Sequence, residues 1–203
     1  KYADKITYWV SEKDGGQYEA INKGFTHTTG DIMGWLNSSD VYYPWTLQTV
    51  AEIFTQNQAI EWLSGMPSNL SYGMSPQSVF PAWQRNKYDL LSGNYKWIQQ
   101  ESILWKRSLW EKAGNAIDIS VRNEAELDLW LKFYDYADLY YVNTILAGFR
   151  FHDDRRSDDP GGVYLREAAA QLGKFKTKFS SSNRLKGAII KLLVGKSEVR
   201  KKI

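Results

Sequence analysis

The chain has 203 residues, 43% of them hydrophobic and 24% charged, which is enough to bury a substantial core, and it contains no cysteine. Disulfide scaffolds, thiolate metal sites and cysteine nucleophiles are thereby excluded, and no apolar run approaches the roughly 20 residues of a membrane-spanning helix. The net charge of +3 hides an asymmetry, because residues 174–203 carry ten Lys and Arg against Glu198 alone, leaving residues 1–173 at −6.

The opening residues KYADKITYWV do not read as a signal peptide, so the cytoplasm is the expected compartment. KITYWVS, residues 5–11, is rich in β-branched and aromatic side chains and predicts a strand. Asp14, Gly15 and Gly16 suit a turn. Tyr18, Ile21, Asn22 and Phe25 then recur at helical spacing, predicting a helix that ends near Gly30, with His27 on its polar side. DIMGWLN, residues 31–37, predicts a short apolar strand. Pro44 suits a first helical position, with Leu47, Val50, Ala51 and Phe54 as the buried stripe. IEWLSG predicts another strand, and this alternation indicates an α/β sheet with helices packed on it.

Residues 65–96 contain Gly65, Pro67, Gly73, Pro76, Pro81 and Gly93 with little periodicity, which fits either a lid or binding loop or a set of short edge strands. WIQQESILWKRSLWEKAG leads into a helix, and NEAELDLWLKFYDYA predicts a second with Leu127, Trp130, Leu131 and Tyr134 on one face. DLYYVNTILAGFRFH supplies one or two closing strands, DDRRSDDPGG is polar, and a basic tail follows. The thirteen Tyr, nine Trp and eight Phe suit sugar-stacking platforms or a large core, and filling cores is the ordinary use of aromatics.

The apolar stretch that ends in Asn37, Ser38, Ser39 and Asp40 draws attention, because ligands of open α/β sheets sit at the carboxyl ends of strands. Taken alone, Asp40 reads equally as a turn residue or helix cap. In its surroundings, SEKDGGQYEAINKGFTHTTGDIMGWLNSSDVYYP resembles the central segment of family 2 glycosyltransferases, nucleotide-sugar enzymes of the GT-A fold. WIQQESILWKRSLWEKAG, AELDLWLKF and LAGFRFH resemble later segments of that family in the expected order, so the likeness runs over roughly residues 5–157.

The resemblance implies a GT-A type, Rossmann-like mixed sheet flanked by helices, and an inverting transfer of a sugar from a nucleotide-diphosphate donor to a saccharide or lipid-linked acceptor. It also implies a divalent cation, Mn²⁺ or Mg²⁺, held by the acidic strand end against the donor's diphosphate. Asn37 and Asp40 match the family's Asp-x-Asp region, with Asp40 at the position of the usual metal ligand. Ser39 stands where the family usually has an acid. His152 matches a histidine that often completes the metal site, and imidazole suits Mn²⁺ better than Mg²⁺.

Glu126 aligns with the base that deprotonates the acceptor, a Glu where the family has an Asp. Glu124 and Glu126 also suit a helix N-terminus through its dipole. Asp128 lies off that face and is assigned to the fold or the acceptor pocket. Asp14 and Asn22 match positions near the nucleotide sugar, while Gln100 and Glu101, with Gln99 and Ser102 beside them, match a segment near the acceptor and donor sugar. Any of these side chains could instead satisfy local backbone groups.

In the family, two strands and two helices precede this stretch, so residues 1–157 are expected to be an N-terminally truncated GT-A domain. Residues 158–173 are expected as a linker and 174–203 as a basic tail in which Leu185, Ile189, Leu192 and Leu193 share a helical face. That tail fits either a peripheral contact with the inner face of a membrane or a helix packed on its own domain. Nucleic acid is not an expected partner of a body this acidic. The alternative to an enzyme is a non-catalytic relic that binds a carbohydrate or a protein.

Overall fold

The computed structural model describes residues 3–81, 87–91, 98–121, 123–151 and 162–178. In chain order the elements are α1 (Gln17–Thr26), β1 (Ile32–Met33), β2 (Val41–Tyr42), α2 (Thr46–Gln56), β3 (Trp62–Ser64), β4 (Ser68–Leu70), β5 (Pro76–Val79) and α3 (Lys87–Leu91). After them come β6 (Ile103–Lys106), α4 (Arg107–Lys112), α5 (Ala125–Phe133), β7 (Tyr140–Tyr141), β8 (Ala147–Arg150) and α6 (Val163–Thr177). Two mixed sheets result, one in the order β1-β6-β3-β7 and one in the order β2-β8-β4-β5.

The first sheet is antiparallel at both edges of β6, with Met33 opposite Trp105 and Trp62 opposite the same residue, and parallel where β3 meets β7. β3 is buried along its whole length, as a central strand covered on both faces must be. Its Trp62 packs with Trp35, Trp105, Trp110 and Trp130 against Phe25 and Phe133 of the main core. Trp35 lies stacked on Trp130, and Trp105 meets Trp35 edge to face. Five of the described Trp, with Phe25, Phe54, Phe133 and Phe175, fill cores, whereas Tyr8, Trp9, Trp45, Tyr72 and Phe80 are exposed. A smaller core of Val50, Phe54, Leu63, Leu104 and Leu146 lies under α2.

The second sheet joins the strand after Asp40 to the chain's later strands. β2 pairs antiparallel with β8, and β8 pairs parallel with β4. Gly148 of β8 permits this closeness, since a Cβ there would lie 2.6 Å from Leu70 Cδ1. Within residues 65–96, the described part takes the edge-strand form, as β4 and β5.

Four expectations are corrected. KITYWVS forms no strand. Ile6, Tyr8, Trp9 and Val10 are exposed, and no ladder among the described residues pairs with them, so their β-propensity has no backbone partner to act on. Helix α2 starts at Thr46 rather than Pro44. It buries Thr46, Val50 and Phe54, while Leu47 is 66% exposed and Ala51 also faces outward, so the stripe is narrower than its apolar residues suggested.

Residues 163–173, read as linker, are the greater part of α6, whose Ala168, Leu172 and Phe175 enter the main core. The polar run before them hid a helix whose buried face is small. The tail's apolar face at Leu185, Ile189, Leu192 and Leu193 lies outside the described residues. No helix among the described residues is long and apolar enough to cross a membrane.

Candidate functional site

The strand expected over residues 31–37 is only Ile32–Met33, so residues 37–40 are not a strand end but a tight turn between β1 and β2, closed by the Asp40 N–H donating to the Asn37 carbonyl at 3.0 Å. Asn37 organises it. Its Nδ2 donates to Asp40 Oδ2 and to Gln100 Oε1, both at 3.2 Å, and its Oδ1 accepts from Gln17 Nε2 at 2.8 Å. From the other side, the Arg150 N–H donates to Asp40 Oδ1 at 3.2 Å and Arg150 Nε donates to the Ser39 carbonyl at 2.6 Å. Asp40 is thus held on both oxygens by donors from two segments, its own turn and β8, and is only 5% exposed.

Glu101 sits in the short 3-10 turn Gln100–Ser102 that precedes β6. Gln100 pins that turn to the segment after β1, its Nε2 donating to the Trp35 carbonyl at 2.7 Å. Glu101 is 2% exposed, and its Oε1 has no hydrogen-bond partner among the described residues. Burial, and then the nearby Asp40 charge, push its carboxyl up to about 8. Burial and the Glu101 charge also push the Tyr42 hydroxyl up to about 12.

Glu126 lies in the first turn of α5, and its Oε2 accepts a hydrogen bond from the Tyr18 hydroxyl, which also lies 3.2 Å from the Asn123 carbonyl. Burial raises the Glu126 carboxyl above the usual carboxylate range, while the Tyr18 bond pulls it down. The same burial and the Glu126 charge hold the Tyr18 hydroxyl protonated far above its ordinary range. Helix α6 supports this end of α5. Glu167 accepts from the Asn123 N–H at 3.0 Å, and Gln171 Nε2 donates to the Glu124 carbonyl at 2.9 Å.

Gln17 and Tyr18 are neighbours on the first turn of α1, so one helix end touches Asn37 on the Asp40 side and Glu126 on the other. Asn37, Ser39, Asp40, Gln100 and Glu101 are brought together. Asn22 is not part of this group. Its amide donates to the Ile117 carbonyl and accepts from the Ile117 N–H, both at 2.9 Å, which clamps a loop backbone. Asp14 accepts from the Gly16 N–H at 2.9 Å and shapes the turn into α1. Asp128 pairs with Lys132 at 2.7 Å along α5. His152 lies outside the described residues.

Tyr18, Gln17 and Arg150 escaped the sequence reading. Tyr18 belongs to the apolar stripe of α1, and a stripe says nothing about where a hydroxyl tip ends. The Tyr-Glu pair spans 108 positions, so local spacing carries no trace of it.

Among the described residues no group of three or more His, Cys, Asp and Glu could hold a metal. A hard dication bridging a diphosphate takes only one or two protein carboxylates, the rest of its shell being phosphate oxygens and water. The turn offers Asp40, with the orphaned buried oxygen of Glu101 in the same electrostatic neighbourhood, and these residues fit that chemistry.

Residues 1–72 match the family model described as glycosyl transferase family 2. A protein of Rickettsia conorii described as an uncharacterized glycosyltransferase is 27% identical over 164 residues, covering 77% of this chain and 26% of its own length. A protein of Rickettsia typhi with the same description is 27% identical over 161 residues, covering 75% of this chain and 49% of its own length. The chain therefore spans about a quarter to a half of the length of these relatives.

Among solved structures, glucosyl-3-phosphoglycerate synthase from Mycobacterium tuberculosis, in complex with phosphoglyceric acid, superposes with a TM-score of 0.50 at 18% identity. The superposition covers 84% of this chain and 59% of that one, and it carries the fold. Its first 72 residues thus match the family model of glycosyl transferase family 2, and its described body follows a GT-A type mixed α/β fold.

Proposed function

We propose that the protein carrying this chain is an inverting glycosyltransferase that moves a sugar from a nucleotide-diphosphate donor to a hydroxyl of a saccharide or lipid-linked acceptor. The observation that supports this best is the double reach of α1, with Gln17 bonded to the Asn37 that holds Asp40, and Tyr18 bonded to Glu126. A donor diphosphate beside Asp40 and an acceptor hydroxyl beside Glu126 then share one organising helix end.

In this reading Glu126 accepts the acceptor's proton as its oxygen attacks the anomeric carbon. The bond from that carbon to the diphosphate breaks on the opposite side, which inverts the centre. A carboxyl raised by burial is a stronger base once ionised, and Tyr18 fixes one of its oxygens so that the other faces the acceptor. Asp40 would hold a divalent cation, which neutralises the departing diphosphate as a Lewis acid when bound. Asn37 and Arg150 keep the Asp40 carboxylate from turning away.

The test is donor hydrolysis and transfer across UDP-, GDP- and dTDP-sugars with Mn²⁺, run on the full-length gene product. Glu126→Gln is expected to lower transfer by about 100-fold or more while donor binding persists. No turnover by the parent, with glycan binding retained, would establish the relic instead. A cytoplasmic location and a membrane contact through residues 174–203 belong to the same proposal. Sedimentation with anionic vesicles should fall when those residues are removed, and equal pelleting removes the membrane contact.

A further inference from the structure

The proposed transfer leaves the β4–β5 hairpin without a role, yet the fold fixes that hairpin beside the Asp40 turn. In the parallel ladder between β4 and β8, Leu70 is the partner of Arg150. Tyr72 lies two residues further on, and the Arg150 guanidinium carbon sits over its ring, 5.6 Å from the centroid, which is cation–π range. The same guanidinium donates through Nε to the Ser39 carbonyl at 2.6 Å, so one side chain separates the Tyr72 ring from the turn that holds Asp40.

The ring is held but not covered. Tyr72 is 74% exposed, and Arg150 is its one ring contact among the described residues. The hairpin beneath it is braced. Gln99 Nε2 and Asn69 Nδ2 donate to Asn69 Oδ1 and Ser78 Oγ, each at 3.0 Å, and the tip is closed by the Ser71 N–H donating to the Ser75 carbonyl at 2.9 Å. That tip puts Met74 at φ 70°, a left-handed backbone uncommon for a residue with a side chain.

Residues 66–81 carry no Lys, Arg, Asp or Glu. Near Tyr72 in the hairpin stand Ser71, Ser75 and Gln77, the last two exposed, so an aromatic face is accompanied by uncharged hydroxyl and amide groups. A neutral sugar ring has the complementary chemistry, with C–H bonds on its face and hydroxyls at its rim, whereas a strongly anionic ligand finds no full charge on the hairpin. We propose that Tyr72 is the stacking face of a subsite for a neutral sugar residue of the acceptor. The donor diphosphate belongs beside the buried Asp40, which leaves the open ring to the acceptor. The inference rests on the glycosyltransferase reading only for the word acceptor; sugar binding is a property of the hairpin itself.

The experiment titrates the full-length gene product calorimetrically with cellohexaose, mannohexaose and chitohexaose, then measures transfer to those it binds. Tyr72→Ala should weaken hexasaccharide binding on the order of tenfold and raise acceptor KM alike, with donor KM and donor hydrolysis within about twofold of the parent. Tyr72→Phe keeps the ring and should keep the affinity. Tyr136→Ala, which removes an exposed ring after α5, should change neither. Because the Tyr72 side chain is exposed, circular dichroism and melting of Tyr72→Ala should match the parent, which separates a lost contact from a lost fold.

If the parent transfers nothing and hexasaccharide binding still falls in Tyr72→Ala, the enzyme reading fails and the subsite stands. If the parent transfers and Tyr72→Ala leaves binding and acceptor KM unchanged, the subsite is overturned and the enzyme reading stands. Donor KM rising as much as acceptor KM also overturns it, since the ring would then act through Arg150 on the donor. A parent that binds none of the three hexasaccharides overturns it as well.

Discussion

Tyr18 shows how much one hydroxyl can decide. Its bond to Glu126 stabilises the ionised carboxylate and partly offsets the effect of burial. Tyr18→Phe removes the donor and keeps the ring in the core, so the Glu126 carboxyl moves further up and fewer molecules carry the base form at neutral pH. The acid limb of the kcat/KM profile should shift to higher pH, with a loss on the order of tenfold at neutral pH from a hydrogen bond to a charged group. A Tyr18→Phe profile that keeps its acid limb in place would remove Tyr18 from the proton-transfer machinery. Asn22 behaves differently. Its two bonds to Ile117 are backbone clamps, so Asn22→Ala should cost about 1–3 kcal/mol in denaturant unfolding and leave donor KM unchanged.

At the scale of elements, the first turn of α5 is the part on which Glu126 depends, and its own residues do not cap it. Among the described contacts, the Glu124 side chain makes no capping bond, while Glu167 of α6 takes the Asn123 N–H and Nδ2. A helix start satisfied by another helix couples the two. Glu167→Ala should therefore lower stability by about 1 kcal/mol, as loss of a cap does. It should also speed amide exchange across residues 123–127, and unaltered exchange there would show that α6 does not support the Glu126 turn.

For the whole molecule, two sheets and a tryptophan-rich core fix the distances between segments remote in sequence. A tight point lies between β8 and β4, where Gly148 leaves no space for a methyl beside the buried Leu70. Gly148→Ala should destabilise the fold by about 1–3 kcal/mol through overpacking, seen as a lower denaturation midpoint. Because β8 also pairs with β2 and carries Arg150 to Asp40, the same change should weaken cation affinity, whereas an equally destabilising change in the core under α2 should not.

Much of this architecture is legible in the residues themselves. The 3.6-residue recurrence of Tyr18 and Phe25 gives α1, and Leu127, Trp130, Leu131 and Tyr134 give the buried face of α5, because amphipathic period is a local property of a chain. The run DIMGWLN forms a strand only at Ile32–Met33, and the cluster from Asn37 to Asp40 that follows is a turn. KITYWVS, by contrast, has the composition of a strand and takes none, since a ladder needs a second backbone that composition does not supply. The helix inside residues 163–173 stays hidden because its buried face is small and its partners, α3 and α5, lie far away in sequence.

The sequence by itself determined the periodic helices, the turn chemistry around Asp40 and a family likeness that the model of residues 1–72 matches. Only the tertiary structure decided that Asn22 clamps a loop, that Tyr18 reaches Glu126, and that Gln100 is bonded to Asn37. Those are encounters between side chains separated by tens of positions, and they depend on packing and register, which no local pattern encodes.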